Sequence, residues 1–141
     1  GSWTPPAGIN GKVTLTALTN ARLWLGFKSS GDVGGKIDVL VDVLVNGQVL
    51  SSGLTRCVST LTASASTAQD ISIALGSIPT TQLDTLTQTL AVRVSARMGT
   101  TASNAACGTK ASVTGVRATK ALIPYPSIKA KLSQSNASST P

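Results

Sequence analysis

Lys36-Ile37-Asp38-Val39-Leu40-Val41-Asp42-Val43-Leu44-Val45 runs without interruption into Asn46-Gly47-Gln48-Val49-Leu50-Ser51. Every second residue from Ile37 to Val45 is β-branched, and a period of two is the spacing that puts side chains of an extended chain on one face. Asp38, Leu40, Asp42 and Leu44 take the other face. Asn and Gly both tolerate positive φ, so the pair at 46–47 predicts a tight type I′ turn, with Gln48 to Ser51 as the returning arm of a hairpin.

The same alternation extends outward along the chain. Lys12 to Thr19 sets Val13, Leu15 and Ala17 against Thr14 and Thr16, and Ala21 to Phe27 points Leu23, Leu25 and Phe27 inward with Arg22 and Trp24 outward. Further strands are expected at Leu54 to Leu61, Asp70 to Leu75 and Thr85 to Met98, where Arg93 and Arg97 oppose the apolar row. The last are expected at Lys110 to Thr119 and Ser127 to Leu132, either side of Pro124-Tyr125-Pro126. About eight short strands with frequent turn residues predict an all-β fold, an antiparallel β-sandwich of jelly-roll type, with a closed barrel as the alternative. Gly1-Ser2 reads as a protease-cleavage scar, 3–132 as the sandwich domain, and the polar segment 133–141 as a linker or tail.

Composition agrees with the pattern. Of 141 residues 41% are hydrophobic but only 3% aromatic and 12% charged, which leaves a chain of Val, Leu, Ala, Ser, Thr and Gly suited to strands. The five acids are all aspartates, Asp32, Asp38, Asp42, Asp70 and Asp84, and the absence of Glu argues against exposed helices. A net charge of +7 suits either an anionic partner or simple solubility. Arg22, Arg56, Arg93, Arg97, Arg117 and Lys120 are scattered over several strands, which disfavours nucleic acid. No apolar run is long enough to span a bilayer.

With no His in the chain, a serine triad, a Cys-His dyad and the common zinc sites cannot be assembled. Asp38 and Asp42 share a strand face about 13 Å apart by strand rise, farther than paired glycosidase carboxylates stand. They read as a solvated face whose charges discourage edge pairing. Gly31-Asp32-Val33-Gly34-Gly35-Lys36 lacks the spacing of a phosphate-binding loop, and Asp32 offers at most one ligand to a structural calcium. No cofactor is expected. Cys57 and Cys107 have no His beside them, so a disulfide is the natural pairing; it implies an oxidising compartment and a secreted or cell-surface location.

The only rings are Trp3, Trp24, Phe27 and Tyr125. Trp24, out of step with Leu23 and Leu25, is the first candidate for a sugar-stacking platform and Tyr125 the second; each also has a structural reading, as edge packing and as a rigid turn. The runs Asp42 to Gly53 and Leu90-Ala91-Val92-Arg93-Val94-Ser95-Ala96-Arg97 resemble β-sandwich accessory domains of secreted bacterial proteins, of the carbohydrate-binding-module kind. That resemblance implies a non-catalytic extracellular module lying beside catalytic or adhesive domains and binding polysaccharide or another surface ligand. The competing expectation is a structural subunit that self-associates, such as an adhesin, surface-fibre or capsid-type sandwich.

Overall fold

A computed structural model describes residues 2–3, 12–15, 18, 20–79, 81–84, 87–125, 130–135 and 138–139, with side chains at 15, 18, 20–79, 81–84 and 87–120. Its strands are β1 (Ser2–Trp3), β2 (Lys12–Leu15), β3 (Ala21–Phe27), β4 (Ile37–Val45), β5 (Gln48–Val58) and β6 (Gln69–Ile73). They continue as β7 (Thr81–Asp84), β8 (Leu90–Met98), β9 (Val116–Tyr125), β10 (Ala130–Ser135) and β11 (Ser138–Ser139). One sheet has the order β1-β8-β4-β5 and the other β10-β9-β3-β6, with β11 also on β9; β2 and β7 form a separate pair. All pairings among the described residues are antiparallel.

From β3 onward the chain winds between the sheets: β3 in the second, β4 and β5 in the first, β6 back in the second, β8 in the first and β9 in the second. Strands β8 and β9 end beside β4 and β3 respectively, which is jelly-roll winding. The expected all-β antiparallel sandwich with one disulfide is therefore observed. The inner faces meet in one core. Ile37, Val39, Val41 and Val43 from β4 and Leu23, Leu25 and Phe27 from β3 are buried there with Val92 and Val94 from β8 and Val116 and Ala118 from β9. The pair β2-β7 adds Leu15 and Leu83.

The turn at 46–47 has the predicted geometry, with φ of 51° at Asn46 and 78° at Gly47. Asn46 also accepts a hydrogen bond from the Thr89 amide through its side chain, tying the hairpin tip to the start of β8. The sequence suggests two strands, at 48–51 and 54–61, where the structure has one, β5. Gly53 is no breaker here: a Cβ at that position would collide with the Ala74 carbonyl, so glycine serves a close crossing of chains. The Gly76 amide donates to the Ser52 carbonyl at 3.1 Å, and Ser51 Oγ donates to the Gly76 carbonyl at 2.7 Å.

Three further differences have local causes. The apolar parity of Thr85 to Met98 predicts a strand from Thr85, but the Thr87 and Gln88 amides turn back onto the Asp84 carbonyl, so β8 begins only at Leu90, and β7 before the turn was not expected. The segment 110–115 is not strand, because the Asp32 carboxylate accepts the Thr114 and Gly115 amides at 2.9 and 3.4 Å. Those bonds take the place of a ladder, and β9 begins only at Val116. The polar segment 133–141, expected to be a tail, carries the end of β10, and Ser138 and Ser139 pair with Arg117 and Val116. Ladder bonds use backbone groups, so polarity of side chains does not forbid pairing at an edge.

Leu23 is fully buried between the sheets. Leu23→Ala is expected to lower unfolding free energy by about 2–5 kcal/mol without changing the denaturant slope, as read by urea unfolding.

Candidate functional site

On β3 the alternation that buries Leu23 and Leu25 turns Arg22 and Trp24 to the outer face of the second sheet. Trp24 is half-buried at the middle of that face, opposite Asp70 on β6 and Lys120 on β9. The Arg22 guanidinium carbon lies 5.1 Å from the ring centroid and Lys120 Nζ 4.7 Å, both within cation–π reach. Arg22 is held in turn by an ion pair with Asp70, its Nε donating to Oδ1 at 3.3 Å. A bulge between Trp24 and Leu25 shifts the register with β9, and Thr119 Oγ1 donates to the Trp24 carbonyl at 3.2 Å. The next outward position, Gly26, lies under the Thr62 carbonyl, 2.9 Å from where a Cβ would stand. Trp24 is therefore not a bare platform. It is an indole fixed among two cations and a carboxylate, with a wall of loop beside it.

Tyr125 closes β9 with its backbone opposite Ala130; its side chain lies outside the described residues. Five residues separate its backbone from Lys120, about 16 Å along β9.

The outer face of the first sheet differs from the sequence expectation. Asp38 and Asp42 are not solvated: their relative exposures are 1% and 4%. The spacing of Asp38 and Asp42 on β4 matches that of Arg97 and Arg93 on β8, and the antiparallel register sets Asp38 opposite Arg97 and Asp42 opposite Arg93. Arg93 NH2 meets Asp42 Oδ2 at 2.8 Å while Ser52 Oγ donates to Oδ1 at 2.6 Å. Arg97 Nε donates to Asp38 Oδ2 at 3.0 Å, and Arg56 NH1 stands 3.6 Å from the same oxygen. The matched spacing was legible in the sequence; without the register, the two pairs could not be joined.

Asp38 has the fuller set of partners because β5 bulges beside it. Ile37 pairs with Val58 and Val39 with Thr55, so Arg56 and Cys57 together face Asp38. Cys57 adopts φ of 56°, and its amide donates to Asp38 Oδ1 at 2.9 Å. The Thr100 amide and hydroxyl donate to the same carboxylate at 3.2 and 3.0 Å. Burial pushes the Asp38 carboxyl up, but the bonds from Cys57, Thr100 and Arg97 outweigh it and hold the group below the usual aspartate value.

Cys57 and Cys107 form the expected disulfide, with Cα atoms 5.9 Å apart. It fastens the loop 99–108 to β5, and the Gly99 amide donates to the Lys36 carbonyl at 2.8 Å. Asp38, Cys57 and Cys107 bring an oxygen and two sulfurs within 4.8 Å of one another, but sulfurs joined in a disulfide offer no thiolate to a metal. Asp32, the candidate calcium ligand, has its oxygens turned to the backbone amides of Thr114 and Gly115. Among the described residues no helix is long and apolar enough to cross a membrane. Comparison with protein-family models, with curated proteins and with solved structures finds no match to this chain.

Two outcomes follow from the Asp38 cluster. Its folded-state pKa lies below the unfolded value of about 3.9, so the unfolded chain binds the extra proton between the two. The stabilisation it contributes is complete above the unfolded value and is lost as pH falls through the folded one. Asp38→Asn should cost about 1.5–3 kcal/mol at pH 7, and the gap from wild type should shrink below about pH 4 in pH-resolved thermal melts. Reduction of the disulfide should lower stability by up to about 4 kcal/mol, the chain-entropy value for its loop, as read by melting with and without reductant.

Proposed function

We propose that this domain is a non-catalytic binding module of a secreted or cell-surface protein, and that it holds a polysaccharide on the outer face of the second sheet around Trp24. The observation that carries this reading is the outward Trp24 at the centre of a sheet, with Arg22, Asp70 and Lys120 around its ring. The apolar face of a pyranose packs on indole as any hydrophobic surface does, while its hydroxyls need fixed donors and acceptors at the edge of the ring. Arg22 and Lys120 supply donors and Asp70 an acceptor. The disulfide supports an oxidising compartment. Absence of His, and the engagement of Asp38 and Asp42 with arginines, support binding rather than catalysis.

A second reading, a self-associating structural subunit, is favoured by the exposure of Val49 and Leu54 on β5, an outer strand of its sheet. The two readings part in solution. A binding module stays monomeric in light scattering over a wide concentration range, and a structural subunit grows.

The direct test is a panel of soluble and insoluble polysaccharides at low and high salt. Retention of one sugar at high salt, weakened about tenfold or more by Trp24→Ala, supports the Trp24 site. Failure to bind any sugar, or binding indifferent to Trp24→Ala, overturns it.

A further inference from the structure

The structure holds a second candidate site, on the opposite face of the sandwich, and we propose that it takes a uronic-acid residue of an acidic polysaccharide. Between the Asp38–Arg97 and Asp42–Arg93 pairs, the outer face of the first sheet carries the cross-strand row Leu54, Leu40 and Ser95. Over this row lies a depression of about 190 Å³, lined by Leu40, Leu54, Ser95 and the Asp38–Arg97 pair. Small-molecule pockets run from about 300 to 1,000 Å³, so this one suits a single residue of a longer ligand rather than an enclosed cofactor.

Its chemistry is one-sided. The Asp38 oxygens already accept from Cys57, Thr100 and Arg97, so they have little to offer a ligand's hydroxyls. The donors are not used up. Arg97 uses Nε on Asp38 and NH2 on Thr100 Oγ1, and Arg56 uses NH1 on Thr100 and Thr101; Arg97 NH1 and Arg56 NH2 have no partner among the described residues. Two guanidiniums face one carboxylate, which leaves one positive charge over. The side chain of Arg97 is 57% exposed, so a ligand can reach it. A group that completes the site brings acceptors and negative charge, and guanidinium selects a carboxylate by its planar fork.

The floor narrows the class further. Leu40 and the 45% exposed Leu54 present an aliphatic surface within the same depression, and Ser95 Oγ makes no hydrogen bond among the described residues. Phosphate has no use for that surface. An acidic peptide carries its carboxylate on a flexible stem that would leave the floor uncovered. A uronate joins all three features in one rigid ring: a carboxylate for Arg97, a CH face for Leu40 and Leu54, and a hydroxyl for Ser95. The site is independent of Trp24 and faces the other way, so occupation of both would let one domain join two chains.

The test titrates wild type, Leu54→Glu and Trp24→Ala with oligogalacturonate, a neutral cello-oligosaccharide of equal length and poly-L-glutamate. Expected are binding of oligogalacturonate alone, weakened about tenfold or more by Leu54→Glu through like-charge repulsion, and unchanged by Trp24→Ala. NMR shift mapping on wild type should move Leu40, Leu54 and Ser95, a readout that needs no variant to fold. Absence of uronate binding, equal binding of poly-L-glutamate, or shifts confined to other residues overturns the proposal. Uronate binding lost in Trp24→Ala but kept in Leu54→Glu would assign the ligand to the other face and overturn this site alone.

Discussion

The carboxylate of Asp38 is the group on which this end of the molecule depends. It stands on the central strand of its sheet, almost without exposure, and gathers donors from three other segments. A buried charge without partners would cost several kcal/mol and would protonate or drag the strand out of place. Here the partners arrive from a bulge in β5, the end of β8 and the loop 99–108, so those segments must be positioned together for the charge to be tolerated. The disulfide fastens the same junction covalently, and the left-handed backbone at Cys57 lets its amide reach the carboxylate while its sulfur reaches Cys107.

The arrangement also specifies register. Slipping β4 by one residue against its neighbours would turn Asp38 and Asp42 into the core and Val39 and Val41 out of it. The two Asp–Arg ladders and the apolar row thus specify the same alignment from opposite faces of one strand. Between the ladders the outer face is left neither flatly polar nor flatly apolar. It has unused guanidinium donors beside exposed leucine, whereas the far sheet has indole beside cations. The sandwich consequently presents two chemically distinct faces, and the two proposed sites rest on that asymmetry.

Much of the fold could be read residue by residue. Ala21 to Phe27 and β4 have the predicted bounds or nearly so, because alternation of Leu or Val with polar residues carries both the strand and its inward face. Asn46-Gly47 carried its own turn. Strand bounds depart from the pattern where a group outside it intervenes: the Ala74 carbonyl against Gly53, the Asp84 carbonyl turning 87–88, and the Asp32 carboxylate holding 114–115 away from a ladder. The candidate site was legible only in part. Trp24 and Arg22 shared an outward face by parity, but Asp70 and Lys120 could not be set beside them without knowing that β6 and β9 flank β3.

Local patterning was sufficient to establish strands, one hairpin turn, the inward faces and the exclusion of histidine-based chemistry, because each rests on spacing within a single stretch or on composition. Partners across the sheets were another matter. That Asp38 meets Arg97, Arg56 and Thr100, and that Trp24 lies between Lys120 and Asp70, follows from winding and register, which join residues on different strands and loops far apart in the chain. Burial of an aspartate on an outward face is set by what lies over it, and only the folded chain puts an arginine there.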